Sequence, residues 1–436
     1  MIEGLQSFQN IFKIPELKRR VIMTLALLAA YRLGAHVPTP GIDAAALAEF
    51  FNQVQGTLLG MVDLFSGGNL RRLTVFALGI MPYISASIIL QLLTVVIPAL
   101  ERLAKEGEAG KKKITQYTRY GTIGLSLVQS FGIAVGLESM RSQTGGILVP
   151  DPGWGFRLMT MLTLTTGTAL IMWLGEQISE KGIGNGISLI IFAGIVVRLP
   201  SAIVSSYTLI STGELKLFVF LGLIIMMVAV TAAVVVMQEG QRKIPVQYAK
   251  WVVGRRMYGG QSTHIPLRIN TAGVIPVIFA SSLILFPATL TRFIHHPWMQ
   301  YISEALSPGH FTYTVLYCGL IIFFAYFYTA IVFNPVDLAD NMKKYGGFIP
   351  GVRPGKKTAE YIDRTLTRIT LPGAMFLALI SVLPDFLIQW FNTPFYFGGT
   401  SLLIVVGVAL DTVRQMESHL LMRNYEGFLR KKAKGA

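Results

Sequence analysis

Charged residues are scarce in this chain of 436 residues. Asp, Glu, Lys and Arg make up 14% of it, against roughly 25% in soluble domains. Hydrophobic residues make up 52%. A chain with so little charge cannot give a folded core an ordinary hydrated surface, so the composition excludes a typical soluble enzyme and indicates a protein that folds in lipid.

Cysteine and catalytic patterns are also lacking. Cys318 is the single cysteine, so no internal disulfide can form and redox chemistry is not expected. The six histidines do not show the spacing of a metal-binding motif. Residues 351–357 come one residue short of a phosphate-binding loop and lack the hydroxyl that should follow the lysine. We therefore expect no catalytic site, no metal site and no cofactor.

Acidic residues near the middle of apolar runs are missing too. Ion-coupled transporters usually keep such residues there, where burial makes them costly and therefore informative. The candidates here fall at or beyond the ends of the runs: Glu138, Glu176, Asp337, Asp340, Asp385 and Asp411. This pattern argues against a secondary transporter for a small solute, which stays the main alternative. A membrane-embedded enzyme is the third hypothesis.

Apolar runs long enough to cross a bilayer recur along the whole chain. A hydrocarbon core of about 30 Å needs about 20 such residues in a helix. The runs lie at 21–37, 74–98, 119–138, 157–175, 187–204, 217–237, 273–294, 314–334, 369–390 and 396–413. They predict an all-α polytopic membrane protein with ten transmembrane helices. Two consecutive sets of five must have opposite orientations, which predicts inverted halves.

Basic residues fall mainly on one side of these predicted helices. Cytoplasmic loops retain Lys and Arg, and 30 of the 38 basic residues lie on the side of the two termini. Both ends are therefore predicted to be cytoplasmic. The other side holds eight basic residues: Arg32, Arg71, Arg72, Arg141, Arg157, Arg198, Lys216 and Arg292.

This topology predicts the following domains: a cytoplasmic amphipathic segment at 1–20, a first half at 21–204, an external connection at 205–216, a second half at 217–413 and a basic cytoplasmic tail at 414–436. The second half carries long cytoplasmic loops at 238–269 and 336–368. Loops of that length are commonly functional.

Two further features concern the interior of the predicted membrane domain. Residues 57–67 are apolar enough to bury but too short to span, so they should re-enter the protein or lie at the interface. Pro82 and Pro276 fall within apolar runs and should interrupt the backbone hydrogen bonds there. Several helices are therefore expected to line a cavity.

Five long strings of residues resemble the SecY family, whose members are channel subunits of the protein translocase. They are 76–93 (FALGIMPYISASIILQLL), 182–194 (GIGNGISLIIFAG), 261–276 (QSTHIPLRINTAGVIP), 339–355 (ADNMKKYGGFIPGVRPG) and 398–406 (GGTSLLIVV). They occur in the same order and at the same spacing as in that family. The resemblance implies a protein-conducting channel with a central hourglass pore, which passes unfolded polypeptides and releases hydrophobic segments sideways into lipid.

The resemblance also implies which residues close this pore. The aliphatic ring at its waist matches Ile80, Ile84, Ile187, Ile191, Ile278 and Ile404. The plug beneath it matches residues 57–67, with Leu58, Leu59, Met61, Val62, Asp63, Leu64 and Phe65 as its side chains. Asp63 and the Gly67-Gly68 pair are expected to keep the plug weakly held and hinged.

The lateral gate and the docking surface follow from the same resemblance. Gate residues would be Ser85, Ser87, Gln91, Gln129, Ser281, Ser282 and Phe286. Docking residues would be Arg242, Lys243, Lys250, Arg255, Arg256, Lys343, Lys344, Arg353, Lys356, Lys357 and Tyr425. The implied partners are the small subunits SecE and SecG, the motor ATPase SecA, the ribosome, and client polypeptides, in the inner membrane of a bacterium. Residues 251–253 (WVV) are less basic and polar than relatives tend to be there.

Overall fold

The structure is a computed structural model of the chain. It describes residues 14–43, 46–47, 63, 66–139, 148–213, 217–248, 251–253, 256–258, 262–290, 305–306, 310–391 and 399–434. The described residues form helices joined by turns, with a few short strands confined to the two long loops of the second half. The predicted helical membrane fold is confirmed.

Thirteen helices are described, and we number them in chain order. They are α1 (Pro15–Gly34), α2 (Met81–Val96), α3 (Pro98–Lys105), α4 (Glu108–Ser139), α5 (Trp154–Lys181), α6 (Gly186–Val196), α7 (Leu199–Ser211), α8 (Leu217–Glu239), α9 (Ile275–Leu290), α10 (Phe311–Val332), α11 (Pro335–Lys344), α12 (Lys356–Phe391) and α13 (Gly399–Lys434). Every predicted apolar run overlaps at least one of them.

Within the described part of the chain, five helices are long and apolar enough to cross a membrane by themselves. They are α4, α5, α8, α10 as continued by α11, and α12. The count rises to six if α2 and α3, which meet at a bend of 101°, form one span. The protein is therefore a multi-pass membrane protein, and shorter apolar helices such as α6 and α9 accompany the long ones.

The second apolar run begins as a buried coil, which differs from the predicted span at 74–98. Residues 66–80 form successive turns, and helix α2 starts only at Met81. Gly67, Gly68 and Gly79 have φ values of 72°, 86° and 58°, which only glycine adopts readily. The prediction that Pro82 interrupts a helix was wrong, because Pro82 lies in the first turn of α2, where its missing N–H costs nothing. Pro276 has the same position in α9.

The fifth apolar run is broken, although a single helix over 187–204 was predicted. Helix α6 ends at Val196 and α7 begins at Leu199. Pro200 contributes to the break, because a proline ring clashes with the carbonyl four residues earlier in a continuous helix. The break leaves Arg198 in a turn and half-buried.

The chain divides into two compact units. The first comprises 1–211, 282–310 and 408–436, and the second comprises 212–281 and 311–407. In the first unit α4 packs against α5 and α2, while α5 also packs against α6 and α1. A buried cluster including Leu73, Leu137, Leu148 and Leu164 joins the end of α4 to the 70–78 turns and to α5.

The second unit combines helices with a small sheet. Its strands are β1 (Gln241–Tyr248), β2 (Trp251–Val253), β3 (Arg256–Tyr258), β4 (Ser262–Arg268) and β5 (Gly347–Phe348). The order in the larger sheet is β4-β1-β5, all antiparallel, and β2 pairs with β3. Helices α10 and α11 both pack against α12.

Candidate functional site

The first pair of predicted ring residues lies at the start of α2. Ile80 precedes the helix, and the Ile84 N–H donates to the Ile80 carbonyl at 3.1 Å. Their side chains are 2% and 4% exposed. The left-handed conformation of Gly79 turns the chain from the 66–80 coil into the helix at this point. The two isoleucines are therefore held one helical turn apart.

The second pair lies on α6, where Ile187 and Ile191 are four residues apart and share a helix face. Ile191 is buried and Ile187 is half-buried. Asn185 caps this helix, because its side-chain oxygen accepts the N–H groups of Ile187 and Ser188 at 3.1 and 3.2 Å. The cap fixes where α6 begins and hence which way both isoleucines face.

The segment 182–186, which leads into α6, is bonded to its surroundings at nearly every residue. Its partners come from α1, α5 and the part of α13 that belongs to the first unit. The contacts are Gly182 O with Arg20 at 3.4 Å, Ile183 N with Thr24 Oγ1 at 3.0 Å, Gly184 N with Gln415 Oε1 at 2.5 Å, and Gly186 N with Ser179 Oγ at 2.9 Å. These hydrogen bonds make the position of α6 depend on three other helices.

The remaining predicted ring residues belong to the second unit. Ile278 lies in the first turn of α9 and is 6% exposed, and its N–H donates to the Val274 carbonyl at 3.2 Å. Ile404 lies near the start of α13 and is 0% exposed. All six predicted ring residues are thus buried or half-buried.

Of the predicted plug side chains the structure describes only Asp63. Leu58, Leu59, Met61, Val62, Leu64 and Phe65 lie outside the described residues. Asp63 is 5% exposed and forms an ion pair with Arg198. The expectation that Asp63 loosens the segment was therefore wrong at this residue, because its carboxylate is buried against a cation.

The predicted gate residues lie on α2, α4 and α9. Ser85 is buried on α2, and Gln91 donates to Ser87 one turn away on the same helix at 3.1 Å. Gln129 is half-buried on α4. Their predicted counterparts Ser281, Ser282 and Phe286 lie on α9.

Both serines of α9 have partners inside their own units. The Ser281 hydroxyl lies 2.9 Å from the Tyr317 hydroxyl of α10, and it also donates to the Val277 carbonyl at 2.8 Å. The Ser282 hydroxyl lies 3.9 Å from Met81 Sδ in the first unit. The predicted gate serines are therefore contact residues between helices.

Seven of the predicted docking residues are exposed at the surface. They are Arg242, Lys243, Lys343, Lys344, Arg353, Lys356 and Lys357. Lys250 and Arg255 lie outside the described residues, Arg256 lies in β3 and Tyr425 lies in α13. The Thr358 hydroxyl donates to the Arg353 carbonyl at 3.0 Å, which anchors the turn before α12.

The two long loops form one folded platform, which sequence reasoning missed. We call it the docking platform and define it as β1, β4, β5, α11 and the first four turns of α12. Strand β1 pairs with β4 of its own loop and with β5 of the other loop, where Tyr248 is opposite Gly347. A buried cluster unites them through Ile244, Val246, Leu267, Met342, Ile349, Ile362 and Leu366. Apolar residues at every second position, Ile244 and Val246, are typical of a β-strand with one buried face, and this pattern could have predicted β1.

Comparison with known proteins places this site in a family. The family model described as SecY matches residues 74–413. The chain is 49% identical over 422 residues to the protein translocase subunit SecY of Aquifex aeolicus, covering 97% of this chain and 98% of that one. It is 52% identical over 420 residues to the protein translocase subunit SecY of Escherichia coli strain K12, covering 95% and 94%.

Solved structures share the fold. One described as the structure of a protein-conducting channel has a TM-score of 0.65 and 18% identity, covering 94% of this chain and 96% of that one. The Sec61 chain of a canine ribosome-channel complex has a TM-score of 0.61 and 16% identity, with the same coverage. Together with the family match and the identities over nearly the full length, these likenesses show that the chain belongs to the SecY family.

Proposed function

We propose that this protein is a channel for unfolded polypeptides and not an enzyme. The observation that carries the proposal is the identity of about half of all residues with two bacterial translocase subunits over nearly their full lengths. The six isoleucines would form the constriction of the pore. An apolar constriction excludes water and ions without binding one peptide sequence in preference to another.

The stiffness of isoleucine suits a constriction of this kind. Its β-branched side chain strongly prefers few χ1 rotamers, and the α2 and α6 pairs are each fixed on one helix face. A passing chain would displace side chains that form no directional bonds. Closure after its passage would then restore a defined seal.

Lateral release would depend on the hydrophobicity of the client. Polar contacts between membrane helices, such as that of Ser282 on α9 with Met81 on α2, are worth about 0.6 to 2 kcal/mol. A segment with ten leucine-like residues gains roughly 3 to 6 kcal/mol by entering the bilayer. The client itself would therefore decide whether the gate residues separate.

The docking platform would face the cytoplasm and receive the partners that supply energy. Its exposed Arg and Lys side chains suit the phosphates of ribosomal RNA and acidic patches on a motor ATPase. A solved relative is described as Sec61 in a ribosome-channel complex. We propose SecA and the ribosome as partners at this platform, and SecE and SecG as membrane subunits.

The distribution of basic residues supports an orientation with both termini in the cytoplasm. The bacterial origin of the relatives favours the inner membrane. The two predicted halves would move against each other about the connection at 205–216, of which residues up to Ser211 belong to α7.

Two measurements test the channel. A photo-crosslinker at Ile191 or Ile278 should capture a stalled secretory client, and one at the exposed Phe218 of α8 should not. Replacing the six ring isoleucines with serine should raise resting ion leakage of reconstituted vesicles. No crosslink at either isoleucine, together with unchanged leakage, would contradict the proposal.

A further inference from the structure

A group of polar contacts surrounds the end of the proposed plug, and we call this group the plug root. It comprises Asp63, Ser66 and Gly67 with the residues that hold them, all in the first unit. The Asp63 side chain is 7% exposed and pairs with Arg198, whose side chain is 29% exposed. The same Arg198 nitrogen donates to the Asp63 carbonyl at 3.2 Å.

Asp63 makes a further contact on its other carboxylate oxygen. The Arg71 backbone N–H donates to Asp63 Oδ1 at 2.9 Å, so both oxygens of this buried group have donors. A carboxylate in that setting is costly to move without its partners, because the low local polarity that strengthens each bond also penalises an unpaired charge. The pair therefore favours one position of the root.

Arg198 reaches Asp63 from the end of α6. It comes four residues after Gly194, which packs on Gly67, so the helical course of α6 directs residue 198 toward the root. Val197 keeps helical dihedrals, and the Arg198 N–H donates to the Ile195 carbonyl at 3.1 Å. Gly68 lies beside Arg198, and a Cβ on that residue would be in ordinary contact with Arg198 Nη2 at 3.4 Å. The φ of 86° at Gly68 is what favours glycine there.

Backbone contact holds the next residue of the root. A Cβ on Gly67 would lie 2.8 Å from the Gly194 Cα of α6, so no other residue fits without a shift of the chain. Arg32 of α1 donates to the Gly67 carbonyl at 3.5 Å. The root is thus packed on the same helix that carries Ile187 and Ile191.

A buried tyrosine completes the root. The Tyr31 hydroxyl donates to the Ser66 carbonyl at 3.5 Å and accepts from the Asn69 amide at 3.2 Å. Tyr31 is 2% exposed, and its ring stacks on Phe76 at 5.6 Å. The root is therefore fixed by α1 on one side and by the α6–α7 break on the other.

We propose that Arg198 is a positioning residue that holds the plug root at rest, and that the Asp63–Arg198 pair must separate before the plug can leave the pore fully. The proposal rests on the proposed channel function. A small movement of the root would leave the carboxylate buried and unpaired, whereas full displacement into water would hydrate both charges. The pair thereby makes plug displacement a switch between two positions.

Single substitutions test the pair through the resting leak. Arg198→Ala and Asp63→Asn should each raise resting ion conductance of vesicles carrying the full-length chain by about tenfold, because the remaining partner no longer has a counter-charge that holds the root at rest. Arg198→Lys should give a smaller increase, because lysine keeps the charge but not the planar fork. Arg72→Ala is the matched control, since Arg72 is an exposed cation in the turns that follow Asp63.

The double exchange Asp63→Arg with Arg198→Asp addresses charge directly, and it should bring conductance back toward that of the parent chain. Client transport, measured on the same vesicles, shows that each variant is folded and inserted. If Arg198→Ala fails to insert, Asp63→Asn tests the same contact because it keeps the shape of the side chain.

The outcomes separate this proposal from the channel itself. If Arg198→Ala and Asp63→Asn leak no more than Arg72→Ala, while serine substitutions in the ring do leak, the plug-root proposal is wrong and the channel stands. If the ring substitutions also leave conductance unchanged and no client is captured, the channel function fails. Increased leak in the two charge variants, with recovery in the exchange, supports the pair.

Discussion

The side-chain oxygen of Gln415 accepts the backbone N–H of Gly184 at 2.5 Å, across 231 residues of sequence. Gln415 lies on α13, and Gly184 lies two residues before α6. Nearby, Met416 and Leu420 pack with Leu17 and Ile183. The tail helix is therefore attached to the segment that seats two predicted ring residues.

Replacing Gln415 should loosen this attachment. Gln415→Leu removes the acceptor for the Gly184 N–H, and leaving such a partly buried donor unpaired costs about 1 kcal/mol. We expect a small decrease in the midpoint of thermal unfolding in detergent, together with a higher resting leak because α6 becomes less well positioned. Leak and unfolding can be measured on the same preparation.

Glu417→Gln is the matched control for that experiment, because Glu417 is an exposed neighbour on the same helix. Its unfolding midpoint and leak should equal those of the parent chain. If both variants behave alike, the contact between α13 and the 182–186 segment has no influence on α6.

Close helix contacts predict a second set of effects. A Cβ on Gly186 would lie 1.9 Å from the Gly175 carbonyl oxygen, and one on Gly167 would lie 1.9 Å from the Val75 carbonyl oxygen. Because both obstacles are backbone atoms, Gly186→Ala and Gly167→Ala should destabilise the protein by about 3 kcal/mol or more. The yield of monodisperse protein and its thermal unfolding would report the loss.

Gly124 provides the comparison, since a Cβ there would meet nothing within 4 Å. Gly124→Ala on α4 should be neutral or slightly stabilising, by up to about 1 kcal/mol, because alanine favours helix over glycine. Equal destabilisation by all three alanines would mean that close backbone contact is not what distinguishes Gly186 and Gly167 from Gly124.

Hydrophobic runs were sufficient to predict the helical membrane fold, because a bilayer imposes length and apolarity on every span. They were insufficient for residues 74–80, which are apolar and were predicted to begin a span, yet belong to a buried coil. The left-handed glycines at 67, 68 and 79 decide that local structure. Hydropathy carries no information about backbone φ angles, so the start of α2 was predicted seven residues too early.

Three basic residues that were predicted to lie on the outer side show what the sequence pattern contained but did not explain. Arg32, Arg157 and Arg198 are predicted to lie on the side that usually has few basic residues. In the structure Arg32 donates to the Gly67 carbonyl, Arg157 pairs with Glu138 at 2.5 Å and Arg198 pairs with Asp63. Basic residues on the side where few are expected indicate that each has a specific hydrogen-bond or ion-pair partner. Those partners are distant in sequence, so the sequence alone could not identify them.

The docking platform should depend on its buried cluster. Ile362 of α12 is 0% exposed and packs against the sheet. Ile362→Ala should lower the stability of the platform by about 2 to 5 kcal/mol, because contacts are lost and a cavity is left. The measurable result is faster proteolysis within residues 241–268, with the membrane helices still protected. Tyr361→Ala changes a side chain that is 40% exposed, and its cleavage rate should match that of the parent chain.

Arg353 offers the most direct test of the platform as the site that receives a motor. Its side chain is exposed on the turn before α12, and the Thr358 hydroxyl anchors the backbone beneath it. Arg353→Glu reverses the charge without removing that anchor, so the platform should stay folded. Two like charges that face each other across an interface typically cost several kcal/mol. Glu at this position would face the acidic patch of the motor, so we expect motor-driven export to fall by about tenfold or more.

Arg364→Glu is the appropriate comparison, because Arg364 is an equally basic and exposed residue further along α12 that lies outside the predicted docking set. Arg364→Glu changes the net charge of the protein, and the number of basic residues in the predicted cytoplasmic loop, by the same amount as Arg353→Glu. Because Arg364 is not expected to contact the motor, export in that variant should stay near the parent rate. Vesicle insertion and resting leak, measured for both, separate a docking defect from misfolding. Equal export in the two variants would remove Arg353 from the motor contact, whereas a defect confined to Arg353→Glu assigns the loss to that turn.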